Sequence, residues 1–195
     1  MGIKARRYAD ILAGAPEYVT GRQEEWKAFL ATAARNYKYP YYDQLMIYLQ
    51  RPEATACAEY DFWFDAMHRY VKRGAKGIAL VDNEGDSPRL RYVFDVADTG
   101  ARSNSRPVWL WQMKEEYRNP VMAALERAYG VSGENLSLEA QLEQVAGRLA
   151  ADYWMDYGRQ ISGIVADSFL EEYDEFNIGI AFRKAVQASI VYTLS

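Results

Sequence analysis

The chain has 195 residues, half of them hydrophobic, enough for one substantial core and too few for two large independent ones. A 26% charged fraction without low-complexity tracts argues against disorder, and no apolar run approaches the roughly 20 residues of a membrane-spanning helix. The formal charge of -4 speaks mildly against a nucleic-acid partner, but residues 1–77 carry 12 Lys and Arg against 9 Asp and Glu, so any polyanion site is expected in the first half.

The basic N-terminus, Met1 to Arg7, has no apolar segment behind it, which argues against a signal peptide. Ile3 to Leu12 reads as a short helix ending at Gly14 and Pro16. Thr20 with Gln23 forms a capping-box pattern, opening a helix with Trp26, Phe29, Leu30 and Ala33 on one face. After Pro40 a second stripe, Tyr42, Leu45, Met46 and Leu49, runs to the stop at Arg51-Pro52. Cys57, the single cysteine, excludes an intrachain disulfide and fits a small buried residue in a cytoplasmic protein. Phe62, Trp63 and Phe64 fall on a short helix.

A basic turn, Lys72 to Gly77, then leads into Ile78–Val81, a polar turn over Asp82–Asp86, and an alternating return over Leu90–Val96, together a β-hairpin. Gly100 to Pro107 reads as a loop, and Val108 to Trp111 as a third strand. The remainder is helical. One helix runs from Pro120 to Gly130, and a long one carries Leu138, Leu142, Val145, Leu149 and Tyr153 until Gly158 breaks it. Two further stripes follow, Ile161, Ile164, Val165 and Phe169, then Ile178, Phe182, Val186 and Ile190. The expected fold class is α+β: a mostly helical domain, a small antiparallel sheet in the middle and a C-terminal helical bundle. The last stripe is still in phase at Ser195, which suggests a domain excised from a longer protein.

Two segments carry chemistry. Arg35-Asn36-Tyr37-Lys38-Tyr39-Pro40-Tyr41 alternates cations with rings, a composition suited to single-stranded nucleic acid, whose bases stack on rings while cations hold phosphate. The same tyrosines also suit a helix junction in which they pack with hydroxyls outward. Arg69 to Gly77 places Arg69, Lys72, Arg73 and Lys76 around Gly74 and Gly77, a spacing also met in loops that clamp a nucleic-acid backbone. A solvated hairpin entry has the same composition, and the P-loop spacing is absent.

These blocks occur in an order that resembles the N-terminal domain of ArdC-type antirestriction proteins. Gln50-Arg51-Pro52-Glu53-Ala54-Thr55 matches that family's helix end, Trp63 its following tryptophan, Arg69 to Ile78 its basic turn, and Val93-Phe94-Asp95-Val96-Ala97-Asp98-Thr99 its closing strand. The resemblance covers about a third of the chain. It implies a single-stranded-DNA-binding, antirestriction-associated module of the kind found at the start of large helicase- and methylase-like proteins of conjugative mobile genetic elements. On that reading residues 1–112 bind nucleic acid and residues 113–195 form a helical region packed on them as one compact unit. The DNA-binding residues would be Arg35, Tyr37, Lys38, Tyr39, Tyr41, Trp63, Arg69, Lys72, Arg73 and Lys76. The other partners would be the remainder of a larger polypeptide and a host defence protein, with no membrane.

No catalytic residue, metal ligand or cofactor is expected. His68 is the only histidine, so the paired histidines of the zinc protease motif are missing, and nothing marks a third group to orient a Cys57–His68 pair. Glu171 to Glu175 reads as a solvated helix end, or as negative charge at the next helix's start, rather than a magnesium site. Asp82, Glu84 and Asp86 lack the glycine and final glutamate of a calcium loop. Two other readings compete with DNA binding. One is a protein-docking module using the acidic second half, in which an inhibitor of a host defence factor would fall. The other is a nuclease or protease fragment.

Overall fold

The computed structural model describes residues 3–82, 89–168 and 170–194; most of the polar turn expected over Asp82–Asp86, and Phe169, lie outside them. The chain divides into two units, 1–111 and 112–195. Both belong to an α+β protein that is mainly helical, with a small antiparallel sheet between its helical parts.

The first unit begins with three helices, α1 (Ile3–Thr20), α2 (Gln23–Arg35) and α3 (Tyr41–Gln50). Contrary to the sequence expectation, α1 passes through Gly14 and Pro16. The proline removes one internal hydrogen bond, but Leu12, Ala15 and Val19 lie on one face at helical spacing and are buried on both sides of it. That burial holds the helix together. The expected capping box is also absent: α2 is capped at Arg22 without a side-chain bond, and the Thr20 hydroxyl donates back to the Pro16 carbonyl (2.8 Å). Phe29, Leu30 and Ala33 of α2 and Leu45, Met46 and Ile47 of α3 join the same core, whereas Tyr42, expected on the buried stripe, is exposed.

Among the described residues five short strands follow: β1 (Cys57–Glu59), β2 (Tyr70–Val71), β3 (Ile78–Asp82), β4 (Arg89–Asp95) and β5 (Thr99–Gly100). They form an antiparallel sheet in the order β1-β4-β3 and a separate two-residue ladder of β2 with β5. Val108 to Trp111, expected to be a strand, has no regular structure, and Trp109 is 87% exposed. The third strand is instead β1, whose Ala58 faces Phe94. Ile78 to Val81 are all buried, with α1 and α3 packed against β3. Being an edge strand, β3 leaves backbone groups unpaired, and the Gln50 amide closes those of Ala79. Its Nε2 donates to the Ala79 carbonyl (2.8 Å) and its Oε1 accepts from the Ala79 N–H (2.9 Å).

The second unit contains α4 (Arg118–Tyr129), α5 (Leu138–Gly163) and α6 (Glu175–Leu194). Gly130 ends α4, Ser137 caps α5, and the fully buried Gln141 donates to the Met122 and Val131 carbonyls. Gly158 does not break α5. It is buried beside the Trp154 ring, and Gly179 of α6 meets the same ring, so these two small residues admit the indole where α5 and α6 pack. The separate helix expected after Gly158 is therefore replaced by the end of α5 and an irregular stretch. Asp174 accepts from the Asn177 N–H (2.8 Å), so this part of the acidic run caps α6.

Candidate nucleic-acid interface

Several of the expected DNA-binding residues serve the fold. Arg35, at the end of α2, donates through Nε to the Ala54 carbonyl (3.0 Å) and through Nη2 to the Pro52 carbonyl (2.6 Å). Tyr39 donates its hydroxyl to the Cys57 carbonyl (2.9 Å) and packs against the core. Arg69 donates to the Thr99 hydroxyl (2.8 Å), and the Lys72 ammonium donates to the Ala97 carbonyl (2.9 Å). Trp63 requires a correction. Its ring is 2% exposed and its indole N–H is bonded to the Phe94 carbonyl (2.9 Å), so no face is open to a base.

These bonds converge on a knot that joins segments distant in sequence. The Asp95 carboxylate accepts from the backbone N–H groups of Thr55 (2.7 Å), Ala56 (3.0 Å) and Ala97 (2.9 Å). Asp98 forms an ion pair with Arg51 and accepts from the Asp95 N–H (3.3 Å). Gln50, Arg51 and Thr55 thus join the end of α3 to β3, β4 and the turn that follows β4. The nearby acid Asp43 is buried and paired with Arg91; desolvation pushes its carboxyl above the usual range, against the opposing pull of Arg91.

Cys57 lies within this region. Burial, then the charge of Asp95, pushes its thiol from an ordinary 9.0 up to about 12. We predict that a disulfide reagent near neutral pH attacks native Cys57 at least about tenfold more slowly than a free thiol, because thiolate is the attacking species and the raised pKa leaves less of it. Above the ordinary value the unfolded chain releases this proton before the folded one does, so stability falls as pH rises. Urea titrations at several alkaline pH values check the sign: Cys57→Ala should show a shallower alkaline loss than the wild type.

What remains exposed is a set of rings and cations. Tyr37 is 70% exposed with the Lys38 ammonium 5.8 Å from its centroid, while Tyr41 and Tyr42 lean together at the start of α3. In the basic turn, Gly74 takes φ +85°, and the Ala75 N–H closes the turn on the Lys72 carbonyl (3.0 Å), so this N–H is not offered to phosphate. The Arg73 and Lys76 side chains are exposed, with no carboxylate partner among the described residues.

The sequence reading missed a second aromatic group. A π-helical turn over Phe62–Ala66 directs Trp63 inward and leaves Phe62 and Phe64 exposed. Tyr60 and Phe64 are nearly parallel, with centroids 6.1 Å apart. The Arg102 guanidinium lies 5.3 Å from the Phe64 centroid and 5.8 Å from that of Tyr70. Tyr70 is paired with Gly100, where a Cβ would approach the ring to 2.3 Å; only glycine lets the ring lie there. Consecutive aromatics hinted at this group, but nothing in the loop composition singled out Arg102.

Among the described residues no group of three His, Cys, Asp or Glu side chains could hold a metal ion, and no helix is long and apolar enough to cross a membrane. Neither a protein-family model, nor a curated protein, nor a solved structure matches the chain.

Proposed function

We propose that this protein is a non-catalytic, single-stranded-DNA-binding module, antirestriction-associated and of the ArdC kind, from a mobile-element protein. The observation that carries the binding is that the first unit sorts its cations. Arg51 and Arg91 are held by Asp98 and by Asp43 and Glu59, whereas Lys38, Arg73, Lys76 and Arg102 have no carboxylate partner among the described residues and share the surface with exposed rings. Unpaired strands favour that combination, because stacking is indifferent to sequence and the cations bind phosphate. The first unit also holds the favourable charge: residues 1–111 carry 16 Lys and Arg against 14 Asp and Glu, and residues 112–195 carry 7 against 13.

Fluorescence anisotropy of a labelled single strand of about 16 nucleotides tests the reading across a salt series. Affinity should fall with salt, log K changing by about 0.7 per phosphate contact for each log unit of salt. Replacing Lys72, Arg73 and Lys76 together by Ala should reduce that slope by up to about two. Absence of binding by the wild type at low salt would refute the proposal.

A second reading is favoured by the segment beyond β5, where Trp109 and Trp111 are 87% and 70% exposed. Large exposed rings are enriched at protein interfaces. In this reading the protein docks on another protein, either the rest of a larger polypeptide or a host defence factor. Loss of partner capture in a Trp109→Ala, Trp111→Ala variant, with DNA affinity unchanged, would favour it.

A further inference from the structure

The loop that carries Arg102 beside Tyr60, Phe64 and Tyr70 is held by its own hydrogen bonds. The Arg102 N–H donates to the Ser105 hydroxyl (2.7 Å), and the Ser105 N–H returns a bond to the Arg102 carbonyl (3.1 Å). The Ser105 hydroxyl in turn donates to the His68 carbonyl (2.6 Å), and the Arg106 N–H donates to the Met67 carbonyl (3.0 Å). The loop after β5 is thereby tied to the segment before β2. The Arg102 side chain is flanked by two rings, yet among the described residues its guanidinium donates to no acceptor. A guanidinium carries five donors in a planar fork suited to an oxyanion. A surface arginine engaged in a structural ion pair would have a carboxylate on that fork. This one has none.

We infer that Arg102 with Tyr60, Phe64 and Tyr70 forms a site for one unpaired nucleotide, the guanidinium taking its phosphate and the exposed rings its base. The inference rests on the single-strand reading and names a site within it. Asp61 and Asp65, exposed on the same turn, repel phosphate from that side, which leaves the base to the rings and the phosphate to Arg102. The basic turn lies nearby. Lys72 directly follows β2 and Arg102 lies two residues beyond β5, at opposite ends of the same two-residue antiparallel ladder. A single strand long enough to pass this short ladder would also meet Arg73 and Lys76.

The same anisotropy assay, on the full chain, separates the two contributions. Arg102→Ala should lower the salt slope by about 0.7, one phosphate contact. Arg102→Lys keeps the charge but loses the fork, so it should keep most of the slope and lose affinity. Phe64→Leu together with Tyr60→Leu should weaken binding roughly five- to a hundredfold with the slope unchanged. Circular dichroism of each variant should overlay the wild type, since all the substituted side chains are exposed. If the wild type binds and these variants bind equally well with the wild-type slope, the nucleotide site is refuted while the single-strand reading stands on the basic turn. If the wild type binds no strand, both fall. A polyglutamate peptide that binds as tightly as the oligonucleotide would also overturn the site, because an acidic peptide brings the charge without bases.

Discussion

Asp95→Ala should destabilise the first unit by about 3–5 kcal/mol, a large share of the 5–15 kcal/mol typical of a folded domain. The carboxylate satisfies three backbone N–H groups drawn from two segments, Thr55 and Ala56 before β1 and Ala97 after β4. Alanine leaves all three without their acceptor in a site where Asp95 itself is only 3% exposed. Each such orphan costs about 1–3 kcal/mol, reduced where water reaches it. Asp95→Asn should cost less, because one amide oxygen can still accept from Thr55 and Ala56 while the amide nitrogen faces the Ala97 N–H. The measurement is a urea midpoint for each variant, with the order wild type, Asn, Ala. Equal midpoints for all three would remove the knot as a source of stability.

That knot shows how the sequence was legible as pattern before it was legible as mechanism. Gln50, Arg51, Thr55, Asp95 and Asp98 lie in segments the sequence reading singled out, and the structure joins them through Ala79, the Arg51–Asp98 pair and the Asp95 carboxylate. The helical stripes of Phe29, Leu30, Ala33, Leu45 and Met46 were readable because a 3.6-residue period persists over several turns. The ladder of β2 with β5 was not, since two residues carry no period. Pro16 and Gly158 misled for a shared reason. Each is unfavourable locally, and at each the neighbouring burial, of Leu12, Ala15 and Val19 or of Trp154, overrides local propensity. The candidate site suffered most where three aromatics run together. Composition marks Phe62-Trp63-Phe64 as important, but only the π-helical turn decides that the indole goes inward and the phenyl rings outward. Arg102 sits among Ser, Asn and Gly, where its position over two rings depends on contacts with Met67 and His68, distant in sequence.

Trp63 provides the other large effect, and it separates a structural ring from a binding one. Trp63→Ala should cost about 3–5 kcal/mol, the range for emptying a buried aromatic position. It would also leave the Phe94 carbonyl in β4 without the indole N–H. Trp63→Phe keeps most of the volume but loses the donor and part of the buried ring, so its cost should be smaller than that of Ala, about 1–3 kcal/mol. Because the wild-type ring is 2% exposed, the Phe variant should bind a single strand with unchanged affinity and salt slope. A stacking residue behaves in the opposite way: its loss weakens the complex while the free protein unfolds at the same denaturant concentration. Paired urea and anisotropy titrations on Trp63→Phe and on Phe64→Leu therefore form a crossed comparison. The inward ring should move only stability and the outward ring only binding. Reversal of that pattern would place the base-contacting surface on the other side of the π-helical turn.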